Sequence, residues 1–178
     1  MTEQSVTMPQ RISFDKWADI GFEWQGVVPV STFERLSTQV HATNSEDLQI
    51  ALRLTKEDGV TWLGFDVMAV LSTSCQRCLD ELSVDVSGSY RMAILENEQK
   101  ISHLQSIDEM ADYVLLDEVC MGVQKMLPVA DLLEDELLLA MPLSPRHDDC
   151  QMLIENADEK GEPSDNPFAV LQTLKGTL

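Results

Sequence analysis

Apolar and polar residues alternate most regularly between Leu48 and Ile94. Leu48, Ile50, Leu52 and Leu54 are interleaved with Gln49, Ala51, Arg53 and Thr55, the period-two pattern of a half-buried strand. Glu57-Asp58-Gly59 then supplies turn chemistry, and Leu63, Phe65, Val67, Ala69 and Leu71 resume on one face, so residues 48–71 read as a hairpin. Beyond Cys75-Gln76-Arg77-Cys78 the pattern returns, with Leu82, Val84, Val86, Tyr90, Met92 and Ile94 inward and Ser83, Asp85, Ser87 and Arg91 outward. The pattern predicts central strands near 47–56, 60–72 and 82–95, joined as an antiparallel meander with one polar face.

The flanks change period. Ile20 to Val30 reads as a first strand, and Ser31 or Thr32 as the cap of a short helix through Val40, with Phe33, Leu36 and Val40 on one face. Glu96 to Asp108 is either a loop or one short helix. Tyr113 to Val119 reads as a strand that Gly122 would end. Pro128 to Met141 is the clearest helix, since Pro suits a first position and Pro142 cannot continue it. Val129, Leu132, Leu133, Leu137 and Ala140 make its inner stripe, Asp131, Glu134 and Asp135 an acidic outer face. Leu138 and Leu139 widen the apolar arc and predict cover on more than one side.

The expected architecture is α+β: an antiparallel β-meander or partly closed sheet covered by a few helices, with an extended acidic C-terminal tail. Residues 1–154 form one domain with a loosely docked N-terminal arm anchored by Ile12, Phe14 and Trp17. Residues 155–178 form an acidic linker and a short helix, with Asn166 as its cap, Pro167 at its first position, and Phe168, Leu171 and Leu174 on one face.

Charge narrows the functional classes. With 31 acidic against 12 basic residues, the net charge is -19. That field repels phosphate backbones and disfavours broad RNA binding, which needs clustered Lys and Arg. It attracts basic proteins and speeds encounter with them. Asp131, Glu134 and Asp135, together with Phe168 and Leu171, are the candidate partner-binding residues. No stretch has the length and apolarity of a membrane span, and the N-terminus lacks the regions of a signal peptide, so the expected location is the cytoplasm. There, the four Cys are expected as thiols or metal ligands rather than a disulfide framework.

Two pairs carry the most specific chemistry. Cys75-x-x-Cys78 lies between strand-like runs, which resembles a metal knuckle more than a redox motif followed by a helix; His147-x-x-Cys150 follows the long helix. Together they offer the donor set of a structural zinc site. Unligated thiols, or a disulfide acquired on handling, are the alternatives. Cys120 sits in an apolar context and reads as an inert thiol. Phosphate loops, nucleophile elbows and metalloprotease motifs are lacking, and no small-molecule substrate or catalytic residue is expected.

Ser-Cys-Gln-Arg-Cys-Leu at 74–79, Glu-Asp-Glu-Leu-Leu-Leu-Ala-Met-Pro at 134–142, Pro145-x-His147 leading to Cys150, and Asn-Pro-Phe-Ala-Val-Leu-x-x-Leu-Lys at 166–175 occur in this order. In that arrangement the chain resembles the bacterial YceD family, named for large ribosomal RNA subunit accumulation. The resemblance implies a cytoplasmic, noncatalytic factor that supports synthesis, processing or stability of 23S ribosomal RNA. Some relatives carry a richer second cysteine cluster where this chain offers His147 and Cys150. Given the charge, the expected partners are basic ribosomal or rRNA-processing proteins, with 23S rRNA engaged indirectly. The alternative is a direct RNA-binding module, zinc-stabilised or not, using Arg77 with Arg91 and Arg53.

Overall fold

The chain enters the fold through a buried segment. In the computed structural model, which describes residues 7–120 and 125–152, β1 (Ile12–Ser13) leads directly into α1 (Phe14–Trp17). Met8, Ile12 and Phe14 are buried in the main core. The expectation of a loosely docked arm is therefore corrected over residues 8–14, where three apolar side chains within seven positions are seated in the core.

β2 (Phe22–Val28) follows, and then a 3-10 turn leads into α2 (Glu34–Gln39). Neither Ser31 nor Thr32 caps this helix. Phe33 occupies the cap position, and the helix amides at Arg35 and Leu36 bond instead to the carboxylate of Glu134, at 2.6 and 3.0 Å.

β3 (Leu48–Glu57) and β4 (Val60–Met68) form the expected hairpin, with Asp58 and Gly59 both at positive φ in its turn. The predicted strand over 60–72 does not run straight through. It breaks at Ala69, where the chain leaves one sheet and β5 (Val70–Ser74) begins another. The predicted strand over 82–95 breaks likewise, into β6 (Glu81–Asp85) and β7 (Gly88–Leu95). Ser87 makes both breaks cohere: its hydroxyl accepts from the Ala69 amide at 3.1 Å, while its own amide donates to the Asp85 carboxylate at 2.9 Å. Val86 N–H then bonds the Ala69 carbonyl at 3.1 Å. The second and third strands of the expected meander thus form a bent hairpin whose base, β4 with β7, lies in the main sheet and whose tip, β5 with β6, forms a second sheet.

Glu96 to Asp108 resolves as a 3-10 turn capped by Asn97 and then α3 (Ile101–Ile107). β8 (Tyr113–Leu115) is shorter than the strand expected to reach Val119; α4 (Leu116–Val119) takes over its second half. β9 (Met126–Leu127) pairs with β1, and α5 (Val129–Ala140) is the predicted long helix. The main sheet runs in the order β2-β3-β4-β7-β8, antiparallel except where β8 lies parallel to β7.

One face of that sheet carries Leu48, Ile50, Leu52, Leu54, Leu63, Phe65 and Val67 into the core, together with Leu132, Leu133 and Leu137 of α5. On the opposite face, α3 covers one end through Leu104, over Val60, Trp62, Ala93 and Leu95. Leu138 is half-buried, whereas Leu139 (80% exposed) and Ala140 point to solvent, so the last turn of α5 is covered on one side only. Asp131 and Asp135 do face outward. Glu134 does not: at 6% exposure it is buried, drawn in by α2. The linker and C-terminal helix expected over 155–178, Phe168 and Leu171 included, lie outside the described residues, as does Gly122.

Candidate metal centre

Cys75 and Cys78 sit in the turn between β5 and β6, at the tip of the bent hairpin. The turn is closed by Leu79 N–H to the Cys75 carbonyl at 2.9 Å and Cys75 N–H to the Asp80 carbonyl at 2.8 Å. Pro142 ends α5, and the following segment, residues 143–152, folds back against this turn as a strap. Gln76 N–H donates to the Pro145 carbonyl at 2.8 Å, and Ser144 Oγ donates to Gln76 Oε1 at 2.9 Å. Arg77 Nη1 donates to the Cys150 carbonyl at 3.0 Å. Polar contacts of this kind give no periodic signal, so Gln76, Arg77 and Ser144 were invisible as positioning residues in the sequence.

The strap delivers His147 and Cys150 to the two cysteines. The donor atoms of Cys75, Cys78, His147 and Cys150 all lie within 4.8 Å of one another. Cys75 Sγ is 3.6 Å from Cys150 Sγ, and Cys78 Sγ is 3.4 Å from His147 Nδ1. Ligands about 2.0–2.3 Å from a tetrahedral zinc are separated by roughly 3.5–3.8 Å, so these spacings match a four-coordinate metal. Cys75 and Cys78 are buried, His147 and Cys150 half-buried.

The surrounding hydrogen bonds favour ligation. His147 Nε2 lies 3.1 Å from the Glu81 carbonyl, which only accepts; Nε2 therefore carries the proton and Nδ1 turns its lone pair toward the sulfurs. Arg77 N–H and His147 N–H both approach Cys75 Sγ at 3.4 Å. Burial alone pushes the Cys75 thiol up, but the amides of Cys78, Arg77 and His147 and the Cys78 thiol outweigh it and bring the pKa down to about 5. For Cys78, the Asp80 amide favours the thiolate, yet burial, the Cys75 and Cys150 sulfurs and the Asp80 side chain hold it up to about 11. The pair thus shares a proton: one thiolate forms readily and suppresses the next. A divalent metal removes that conflict by neutralising both sulfurs.

The other candidate residues are elsewhere. Glu134 Oε2 accepts from Arg35 Nε at 2.8 Å, and Asp135 Oδ1 pairs with Arg35 Nη1 at 2.6 Å. Asp131 is exposed on the first turn of α5. Arg53 and Arg91 share the outer face of the main sheet, on either side of Gly64, but Arg53 pairs with Asp66 and Arg91 with Glu57, each at 2.8 Å. Arg77 does not join them; it belongs to the cysteine turn.

A family model described as Large ribosomal RNA subunit accumulation protein YceD matches residues 63–175, well over half of the chain and all four metal-centre residues. A curated relative from Haemophilus influenzae, named Large ribosomal RNA subunit accumulation protein YceD, is 23% identical over 180 residues, spanning 97% of this chain and 98% of the relative. No solved structure matches.

Proposed function

The chain belongs to the large ribosomal RNA subunit accumulation protein YceD family, and from that premise we propose that it is a noncatalytic cytoplasmic factor supporting synthesis, processing or stability of 23S rRNA through basic ribosomal or rRNA-processing proteins. The observation that carries the partner class is the disposition of charge. Against a net -19, five of the cations, Arg35, Arg53, Lys56, Arg91 and Lys125, are already held in ion pairs. The other seven are scattered along the sequence from Arg11 to Lys175 among 31 acidic residues, which disfavours counterion release along a phosphate backbone, whereas the acidic surface suits a basic protein. Among the described residues no helix is long and apolar enough to cross a membrane.

The four-donor centre holds a structural zinc ion in this reading, with Cys75, Cys78, His147 and Cys150 as ligands. Zinc there neutralises the clustered sulfurs and links the hairpin tip to the strap. Four protein donors fill a tetrahedron and leave no position for a water or substrate, which supports a structural and noncatalytic role.

The test of the partner class is a salt titration with purified 23S rRNA fragments beside basic proteins extracted from large ribosomal subunits. The proteins bind at physiological salt and the RNA does not. Tight RNA binding that weakens steeply with salt would transfer the role to direct phosphate contact.

A further inference from the structure

The turn at the metal centre ends on a residue its backbone disfavours. Leu79 has a φ of 64°, in the left-handed region where Cβ crowds the backbone and where glycine or asparagine is the usual occupant. The conformation is required, because it closes the turn on Cys75. The leucine side chain is not: it is 68% exposed and belongs to neither apolar cluster. A bulky apolar residue at a strained, exposed position adds nothing to the fold and asks for another purpose.

The strap brings a second exposed leucine beside the same turn. Leu143 is fully exposed (101%), and its carbonyl lies 3.5 Å from Gln76 Nε2 of the turn that Leu79 ends. Acids outnumber cations at this tip: Asp80 follows Leu79, and Asp148 and Asp149 lie on the strap, all three exposed and in no ion pair among the described residues, against the exposed Arg146 and the half-buried Arg77, whose guanidinium donates to the Cys150 carbonyl.

We propose that this apolar, acid-rimmed tip is the surface on which a basic protein partner docks, with Leu79 and Leu143 entering an apolar site on the partner and Asp80, Asp148 and Asp149 meeting Lys or Arg side chains around it. The proposal rests on the reading that the protein acts through basic protein partners, and it names the surface. Charge complementarity selects the occupant: the rim attracts cations, while the two leucines supply the desolvated anchors that bulk charge lacks. It also differs from the acidic face of α5, where Asp135 is engaged by Arg35 and Glu134 is buried.

The test uses the full chain, immobilised, with basic proteins salt-extracted from purified large ribosomal subunits as the probe at physiological ionic strength. Leu79→Gly and Leu143→Ser each weaken binding by about tenfold or more, as loss of an anchor does. Met68→Ser, at an exposed position on the outer face of the main sheet, leaves it unchanged. Because glycine suits the backbone at 79, the Leu79→Gly melting temperature stays at or above that of the parent, which separates lost contact from lost fold. Wild-type binding that both leucine variants retain overturns the docking surface and leaves the functional reading standing. No binding by the parent protein overturns both. Self-association of the parent that Leu79→Gly abolishes, with extract binding intact, assigns the tip to a second copy of this chain and overturns the proposal.

Discussion

The main sheet and the hairpin tip are continuous in sequence through Ala69 and Ser87, yet they are held by different forces. The sheet rests on area: Leu48, Leu52, Leu54, Leu63, Phe65, Leu133 and Leu137 are each 1% exposed or less. Each fully buried side chain of this kind is worth about 1.5–3 kcal/mol. The near part of the tip shares that core through Leu71 and Val84, but its far end rests on direction. The tip is a two-stranded ribbon, too small for independent stability, and its far end is joined to the strap by hydrogen bonds, sulfur contacts and one imidazole. A core built on area survives the loss of one polar group at a limited cost. A region built on directed donors depends on its centre, so one protein contains a robust body and a conditional extremity.

Damage to the body breaks that contrast most severely. Leu133→Ala removes a fully buried side chain from between α5 and the sheet and is expected to destabilise the protein by about 2–5 kcal/mol, read as a drop in the denaturant midpoint. Glu134→Ala is next. It strips the acceptor from the Arg35 and Leu36 amides and from the Arg35 guanidinium, at an expected cost of about 2–3 kcal/mol. This carboxylate also sets a pH dependence. Burial raises its pKa, but the Leu36 amide and the Arg35 side chain and amide more than reverse that, and the net shift is downward. Ionised Glu134 therefore contributes stability above the unfolded carboxylate value of about 4.3, and that contribution disappears as pH falls through the lower folded value. Glu134→Gln should flatten this part of the acid limb of stability against pH; an unchanged slope would show that the α5–α2 junction plays no part in it.

Cys75→Ser has a smaller global effect and a sharp local one. It should leave the far-ultraviolet spectrum of the sheet intact while amide exchange accelerates across the strap at 143–152, because the sheet keeps its own core. Global unfolding of this variant would mean that the tip is not separable from the body. The smallest effect has the opposite sign. Leu79→Gly relieves the left-handed strain against glycine's greater backbone entropy and should raise stability by up to about 1 kcal/mol, detectable as a modest rise in melting temperature.

The body was far more legible in the sequence than the tip's attachments. Period-two alternation from Leu48 onward fixed the inward side of β3, β4 and β7, because burial on one face imposes it directly. The breaks at Ala69 and Ser87 were hidden because the inward phase continues across them; only a hydroxyl bonding to a main chain eighteen residues away reveals the bend. Glu134 was misread for a related reason. Its sequence neighbours are Asp135 and Glu136, which suggest a solvated face, while its actual partners are amides 98 and 99 positions distant. The metal-centre residues were legible as ligand types. Their meeting in one site was also expected; what holds it was not, since the strap's contacts with Gln76 and Arg77 leave no periodic trace.

Metal content tests the contrast between body and tip most directly. Protein purified without chelator should carry one zinc ion per chain by elemental analysis, and Cys75→Ser purified in parallel should carry none while remaining folded. Wild-type protein without stoichiometric zinc would contradict the account.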